Sequence, residues 1–188
     1  MEPNPQSPYA VQKLAAEYYA QMFYDLHGLE TTVLRYFNVY GPRQDPSSPY
    51  SGVISIFMTK ALLNEPAIIY GDGNQSRDFI YVQDVVRANL LAATIQGAGG
   101  QVINIGSGKS VAINQLWEKI CALSGKNLEP EYAPQRPGDI VESVAGIESA
   151  SARLGFECEM PFAKGLEATF EWYRNSQRSE VRSQKSDS

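Results

Sequence analysis

The chain is poor in the residues that most often carry chemistry: it has one histidine, His27, and two cysteines, Cys121 and Cys158. His27 stands just before Gly28 at the end of a predicted helix, where a donor suits the exposed carbonyls, and a lone histidine leaves no His-based triad or metal site to assemble. The cysteines lie far apart in no CxxC or Cys/His spacing, so no metal motif is expected and a disulfide is disfavoured. Positive charge is also in deficit, with 16 Lys and Arg against 21 Asp and Glu and a net charge of -5. That balance argues against a general nucleic-acid binder, which needs clustered cations to neutralise phosphates. Long apolar runs are missing too. None approaches the roughly 18–20 residues of a membrane span, and Met1-Glu2-Pro3-Asn4-Pro5 has neither the basic nor the apolar region of a secretory signal. A cytoplasmic protein without membrane contact is expected.

What is present is an α/β pattern. A compact chain of 188 residues is expected to bury roughly 70% of its unfolded surface, enough for one core or a core with a small lobe. From Tyr9 to Leu26 apolar residues recur at three- and four-residue spacing, which predicts an amphipathic helix. Ser7 suits its N-cap, Pro8 its first turn and Gly28 a left-handed exit. Thr31 to Phe37 is β-branched and aromatic and predicts a strand ending near Asn38.

The Tyr40–Tyr50 stretch is broken by prolines and serines and reads as a loop able to grip a ligand. Further helices are expected over 52–63, 84–95, 114–123, 147–154 and 163–175, with strands over 67–70, 79–82 and 101–105 and an extended piece over 128–132. From Ser176 onward the chain is too polar to join a core and reads as a disordered, frayed tail. Two glycine-rich stretches are decoys. Gly106-Ser107-Gly108-Lys109-Ser110 lacks the earlier glycine of a phosphate loop, with Ile103 in its place, and Gly97–Gly100 follows a helix where a dinucleotide fingerprint needs a strand. Both read as turns.

Tyr9-x-x-x-Lys13 is the most informative pair, because i and i+4 share one helix face. A tyrosine is a poor base at neutral pH unless a neighbouring cation favours the phenolate. Spacing alone is weak, since Lys13 would also suit a solvated face. Context strengthens it: SPYAVQK (7–13), LRYFNVYGPRQDP (34–46), IYGDGNQSRDFIYVQD (69–84), NIGSG (104–108) and RPGD (136–139) stand in order along the chain. In these blocks the chain resembles the extended short-chain dehydrogenase/reductase superfamily, and within it the NAD-dependent sugar-nucleotide epimerases and dehydratases, from Ser7 to about Tyr173.

The resemblance implies roles residue by residue. Tyr9 becomes the catalytic acid/base and Lys13 the residue that tunes it and holds the nicotinamide ribose. Tyr36 and Val39 fall beside the nicotinamide. Asn38, Arg77 and Arg136 fall at the sugar-nucleotide diphosphate, where a guanidinium suits phosphate oxygens. Asp139 resembles the acid that takes ribose hydroxyls, and Gly52, Val53, Ile68 and Tyr70 the walls around uracil. Taken singly, Asn38 would be a turn residue at a strand end, the arginines surface groups, and Tyr70 a packed strand aromatic.

The family's glycine-rich βαβ half and the Ser/Thr partner of the catalytic tyrosine are not found. A βαβ unit takes roughly 30 residues, more than precede Tyr9, and Ser7 is too close in sequence to serve as that partner. The expected fold is therefore the C-terminal part of a Rossmann-like doubly wound domain plus a small α/β substrate-binding lobe. Residues 1–50 form the remnant of the NAD-binding domain, 51–175 mainly the sugar-nucleotide lobe with elements returning to the Rossmann sheet, and 176–188 the tail. The implied reaction of the complete enzyme is NAD-dependent inversion at C4 of a UDP-sugar, nearest to UDP-glucose or UDP-N-acetylglucosamine 4-epimerases. A dehydratase or decarboxylase of the same superfamily, or a non-catalytic sugar-nucleotide-binding fragment, stands as the alternative. The first helix and strand should expose apolar faces, so a homo-oligomer or a covering N-terminal half is expected.

Overall fold

The computed structural model describes residues 3–48 and 51–186, with side chains through 177. Helix α1 (Pro8–His27) begins and ends where its sequence predicts. Ser7 Oγ accepts the Ala10 N–H at 3.2 Å, Pro8 takes the first turn, and Gly28 (φ 63°) leaves in the left-handed region with its N–H bonded to Tyr24. These caps satisfy groups that every helix end leaves orphaned.

The chain then runs through β1 (Thr32–Tyr36), β2 (Asn38–Tyr40), α2 (Val53–Leu63), β3 (Ile68–Tyr70), β4 (Ser76–Tyr81) and α3 (Val82–Thr94). It continues with β5 (Gln101–Ile105), β6 (Ser110–Ala112), α4 (Ile113–Ser124), β7 (Glu131–Ala133), β8 (Glu142–Ser143), α5 (Glu148–Leu154) and α6 (Phe162–Ser186). The final helix is longer than expected. The segment from Ser176, anticipated as a frayed tail, is helical backbone through Ser186. The physical reason is that Arg, Glu, Gln and Lys are good helix formers and extend a helix already nucleated, without needing a core of their own.

Strand β1 lies parallel to β5 from Thr32 opposite Gln101 to Tyr36 opposite Ile105. β4 is the hub: its C-terminal half pairs in parallel with β2, and its N-terminal half pairs with antiparallel β6 and parallel β8. β3 lies parallel to β7. Because strand side chains alternate, β4 feeds two cores. Phe79 and Tyr81 point into one with Tyr40, Phe57, Trp117, Leu166 and Phe170. Ile80 points into the other, with Ile103, Ile105, Ala88 and Leu154. Each such large side chain contributes about 1.5–3 kcal/mol on burial. The short runs of β2, β6 and β8, which periodicity did not reveal, are defined by this pairing. By contrast, α1 buries none of its residues.

Candidate active site

Two clefts draw on residues of the first strands. The first lies between α1 and β1 and is lined by Tyr9, Lys13, Ala16, Glu17, Val33, Leu34, Arg35 and Tyr36. The i, i+4 spacing does bring the predicted pair together: Lys13 Nζ lies 5.4 Å from the centroid of the Tyr9 ring, within cation–π range. Tyr9 remains open to solvent, 60% exposed. Tyr36 lines the same cleft, and its phenol donates to Asn89 Oδ1 on α3 at 2.8 Å. Val39 takes a different place, packed on β2 against the second core. Glu17 and Arg35 form a two-pronged ion pair at 2.6–3.0 Å, and the Glu17 hydrogen bond holds the guanidinium above its ordinary pKa.

The second cleft has a volume near 390 Å³, within the range of small-molecule sites. It brings together Asn38, Gly52, Val53, Ile68, Tyr70, Arg77, Arg136 and Asp139, residues spread over a hundred positions of sequence. Arg77 and Asp139 meet through Nη2 and Oδ1 at 2.5 Å, and Arg77 Nη1 donates to the carbonyl of Ile140 at 2.5 Å and of Ser76 at 2.9 Å. Arg136 stacks over Tyr70, its Cζ 3.8 Å from the ring centroid. Asn38 donates Nδ2 to the Asp78 carbonyl at 2.8 Å, while Gln75, which the sequence did not single out, donates to the Tyr70 carbonyl at 2.6 Å. Tyr36 opens on the first cleft and Asn38 on the second. They are two residues apart, a span of at most ~7 Å.

Two acidic residues outside the prediction fix the frame of this site. Asp78 is fully buried, and its carboxylate accepts from Ser107 N at 2.8 Å, Ser107 Oγ at 2.6 Å, Gly108 N at 3.0 Å and Ala145 N at 3.0 Å. The glycine turn that imitates a phosphate loop thus wraps a carboxylate of its own chain. Asp84, also buried, sits in the first turn of α3, where a negative charge suits the helix dipole. It accepts from Arg87 Nη2 at 2.8 Å, Cys158 Sγ at 3.3 Å, Glu159 N at 3.2 Å and Met160 N at 3.1 Å. The only sequence signal for either was an acid set in the apolar run RDFIYVQD; apart from Arg87, the donors come from distant segments.

The thiols offer no nucleophile. Both cysteines are free; burial, with Asp84 beside it, pushes Cys158 up to about 11, and burial raises Cys121. Among the described residues no group of three or more His, Cys, Asp or Glu side chains could hold a metal ion, and no helix is long and apolar enough to cross a membrane.

The model of the NAD dependent epimerase/dehydratase family matches residues 1–106. The chain is 42% identical to a UDP-glucose 4-epimerase of Thermotoga maritima whose crystal structure holds UDP-glucose, superposing with a TM-score of 0.89 over 93% of this chain and 56% of that one. A UDP-N-acetylglucosamine 4-epimerase of Methanobrevibacter ruminantium, in complex with UDP-N-acetylmuramic acid, gives 42% identity and a TM-score of 0.87 over 92% of this chain and 55% of that one. A UDP-glucose 4-epimerase of Mycolicibacterium smegmatis is 38% identical over 93% of this chain and 55% of its own length. The chain therefore spans about half the length of the relatives it matches, roughly their C-terminal half.

Proposed function

The chain belongs to the NAD dependent epimerase/dehydratase family, and from that premise we propose that it is the substrate-binding portion, with the Tyr-Lys pair, of an enzyme that inverts C4 of a UDP-sugar. One observation carries the reading: every residue expected at the sugar nucleotide lines one cleft, and its Asn38 lies two residues along the chain from Tyr36 of the cleft that holds Tyr9 and Lys13. Arg77 and Arg136 supply guanidinium forks for a diphosphate. Tyr70 and Ile68 offer an apolar wall and Asp139 an acceptor for ribose hydroxyls. Asn38, anchored through Nδ2 to the Asp78 carbonyl, keeps its carboxamide in the second cleft.

Tyr9 removes the proton from the sugar 4-hydroxyl and later returns it, with Lys13 supplying the cation that favours the phenolate. The donors of the first cleft, the Tyr9 phenol and the Lys13 ammonium, fit the nicotinamide-ribose end of NAD, which they would hold with the Tyr36 ring beside them; Val39 would act only through the core behind them. Held there, NAD would supply the acceptor and donor of the C4 hydride. A glycine-rich turn for its pyrophosphate is not among the residues of this sequence. Turnover is therefore assigned to the complete enzyme, and sugar-nucleotide binding to this portion. A cytoplasmic setting and a homo-oligomer, or a covering N-terminal half, belong to the same proposal. A dehydratase or decarboxylase would share these substrate contacts and differ in acidic residues outside this sequence.

Titration calorimetry with UDP tests the reading, with a thermal-shift assay beside it. Heat of binding and stabilisation are expected, with no enzymatic conversion of UDP-galactose in the presence of NAD. No heat and no shift with UDP would remove the sugar-nucleotide assignment, and rapid formation of UDP-glucose would overturn the division of labour between portion and complete enzyme.

A further inference from the structure

We propose that Arg35 is a positioning residue for the Tyr9–Lys13 pair, acting by holding the Glu17 carboxylate away from Lys13. The inference rests on the reading of Tyr9 as the acid/base. Tyr9, Lys13 and Glu17 stand at i, i+4 and i+8, so one face of α1 carries a phenol, an ammonium and a carboxylate in a row. Left to themselves, Lys13 and Glu17 would form an i, i+4 ion pair and Lys13 would be neutralised. That pair is not made. Among the described residues Lys13 has no carboxylate partner; its recorded contact is the Tyr9 ring. Glu17 instead gives both oxygens to Arg35, at 2.9 and 3.0 Å from Nε and 2.6 Å from Nη2.

The geometry explains why Arg35 prevails. A guanidinium matches a carboxylate through two parallel bonds, which an ammonium cannot do. The Lys-before-Glu order is also the weaker orientation of a helical pair. Glu17 is the better shielded partner, its side chain 14% exposed against 41% for Arg35, so the carboxylate is held at the base of the cleft. Arg35 belongs to β1, directly before Tyr36, so the strand that forms the cleft's floor also sets its charge. The titratable and charged groups facing Tyr9 and Lys13 are Glu17 on α1 and Arg35 and Tyr36 on β1, with Tyr18 acting on Arg35. The segment Pro3–Pro5, across the other side of Lys13, carries none.

The test is the titration of Tyr9 in the whole chain, followed by NMR with tyrosine labelled at Cζ and Tyr9 assigned through Tyr9→Phe. Arg35→Met is measured twice, once with Glu17 intact and once in the Glu17→Gln background. With Glu17 intact the freed carboxylate moves to Lys13, and the Tyr9 midpoint should rise by roughly half a unit or more, the effect of neutralising one neighbouring charge near solvent. In the Gln background the rise should be less than half as large. Equal rises in both backgrounds would mean that Arg35 acts only through its own field, and the proposal would fail. Should Arg35→Met not fold, Arg35→Lys in the same two backgrounds carries the comparison: it keeps the charge and loses the fork, so an unchanged midpoint overturns the proposal and a rise dependent on Glu17 supports it. No NAD or UDP is present, so this result is independent of the calorimetric test of function.

Discussion

Arg77 has three acceptors within its own chain: Asp139 and the carbonyls of Ile140 and Ser76. Its side chain is only 16% exposed, so a diphosphate entering the cleft would find the guanidinium already oriented and would compete with Asp139 for one edge of the fork. Charge-assisted hydrogen bonds contribute about 1.5–3 kcal/mol each. Arg77→Ala should therefore weaken UDP roughly tenfold or more while changing uridine far less, as read by calorimetry with the two ligands. An equal loss for both would show that Arg77 serves mainly to brace the Arg136–Ile140 turn. Arg136 differs in kind, because its stacking on Tyr70 ties charge to the apolar wall, and truncating it removes packing together with charge.

At the scale of elements, α6 illustrates how packing overrides propensity. Glycine inside a helix ordinarily costs about 0.5–1 kcal/mol relative to alanine, so Gly165→Ala would stabilise an isolated helix. Here a Cβ at Gly165 would overlap the Tyr40 hydroxyl and lie 3.0 Å from the Tyr81 ring, and Tyr40 is a buried member of the larger core. Gly165→Ala is expected to destabilise by about 1–3 kcal/mol through overpacking, seen as a lower urea midpoint with an unchanged slope; a raised midpoint would contradict this packing. The same contrast explains what the sequence disclosed. The caps and the apolar spacing of α1 are local signals, and they were legible. Strands β6 and β8 span three and two residues and owe their identity to β4, so no local pattern marks them. Asp78 and Asp84 were missed for a related reason: a buried carboxylate is explained by its donors, and those of Asp78 come from Ser107, Gly108 and Ala145. The cleft residues were legible through the ordered motif blocks, whereas the turning of Val39 toward the core was not, because its direction depends on the pairing of β2 with β4.

The molecule as a whole is covered unevenly. The side built on α2, α4 and α6 closes around a continuous core, whereas α1 leaves Tyr18, Tyr19, Phe23 and Leu26 between 43% and 69% exposed. Among the described residues β1 pairs only with β5, leaving its second edge with unpaired backbone groups. An apolar helix face next to an open strand edge favours association. The isolated chain should therefore self-associate, with a sedimentation coefficient that rises with concentration across the micromolar range. Tyr19→Lys and Leu26→Lys alter side chains 62% and 69% exposed, so they cost little in folding and should shift the chain toward monomer while leaving its thermal midpoint nearly unchanged. Because these positions lie outside the cleft of Arg77 and Arg136, UDP binding should survive in the dispersed variants. A chain that sediments as a monomer throughout that range would show that this surface is tolerated in water, and the case for a covering partner would be lost.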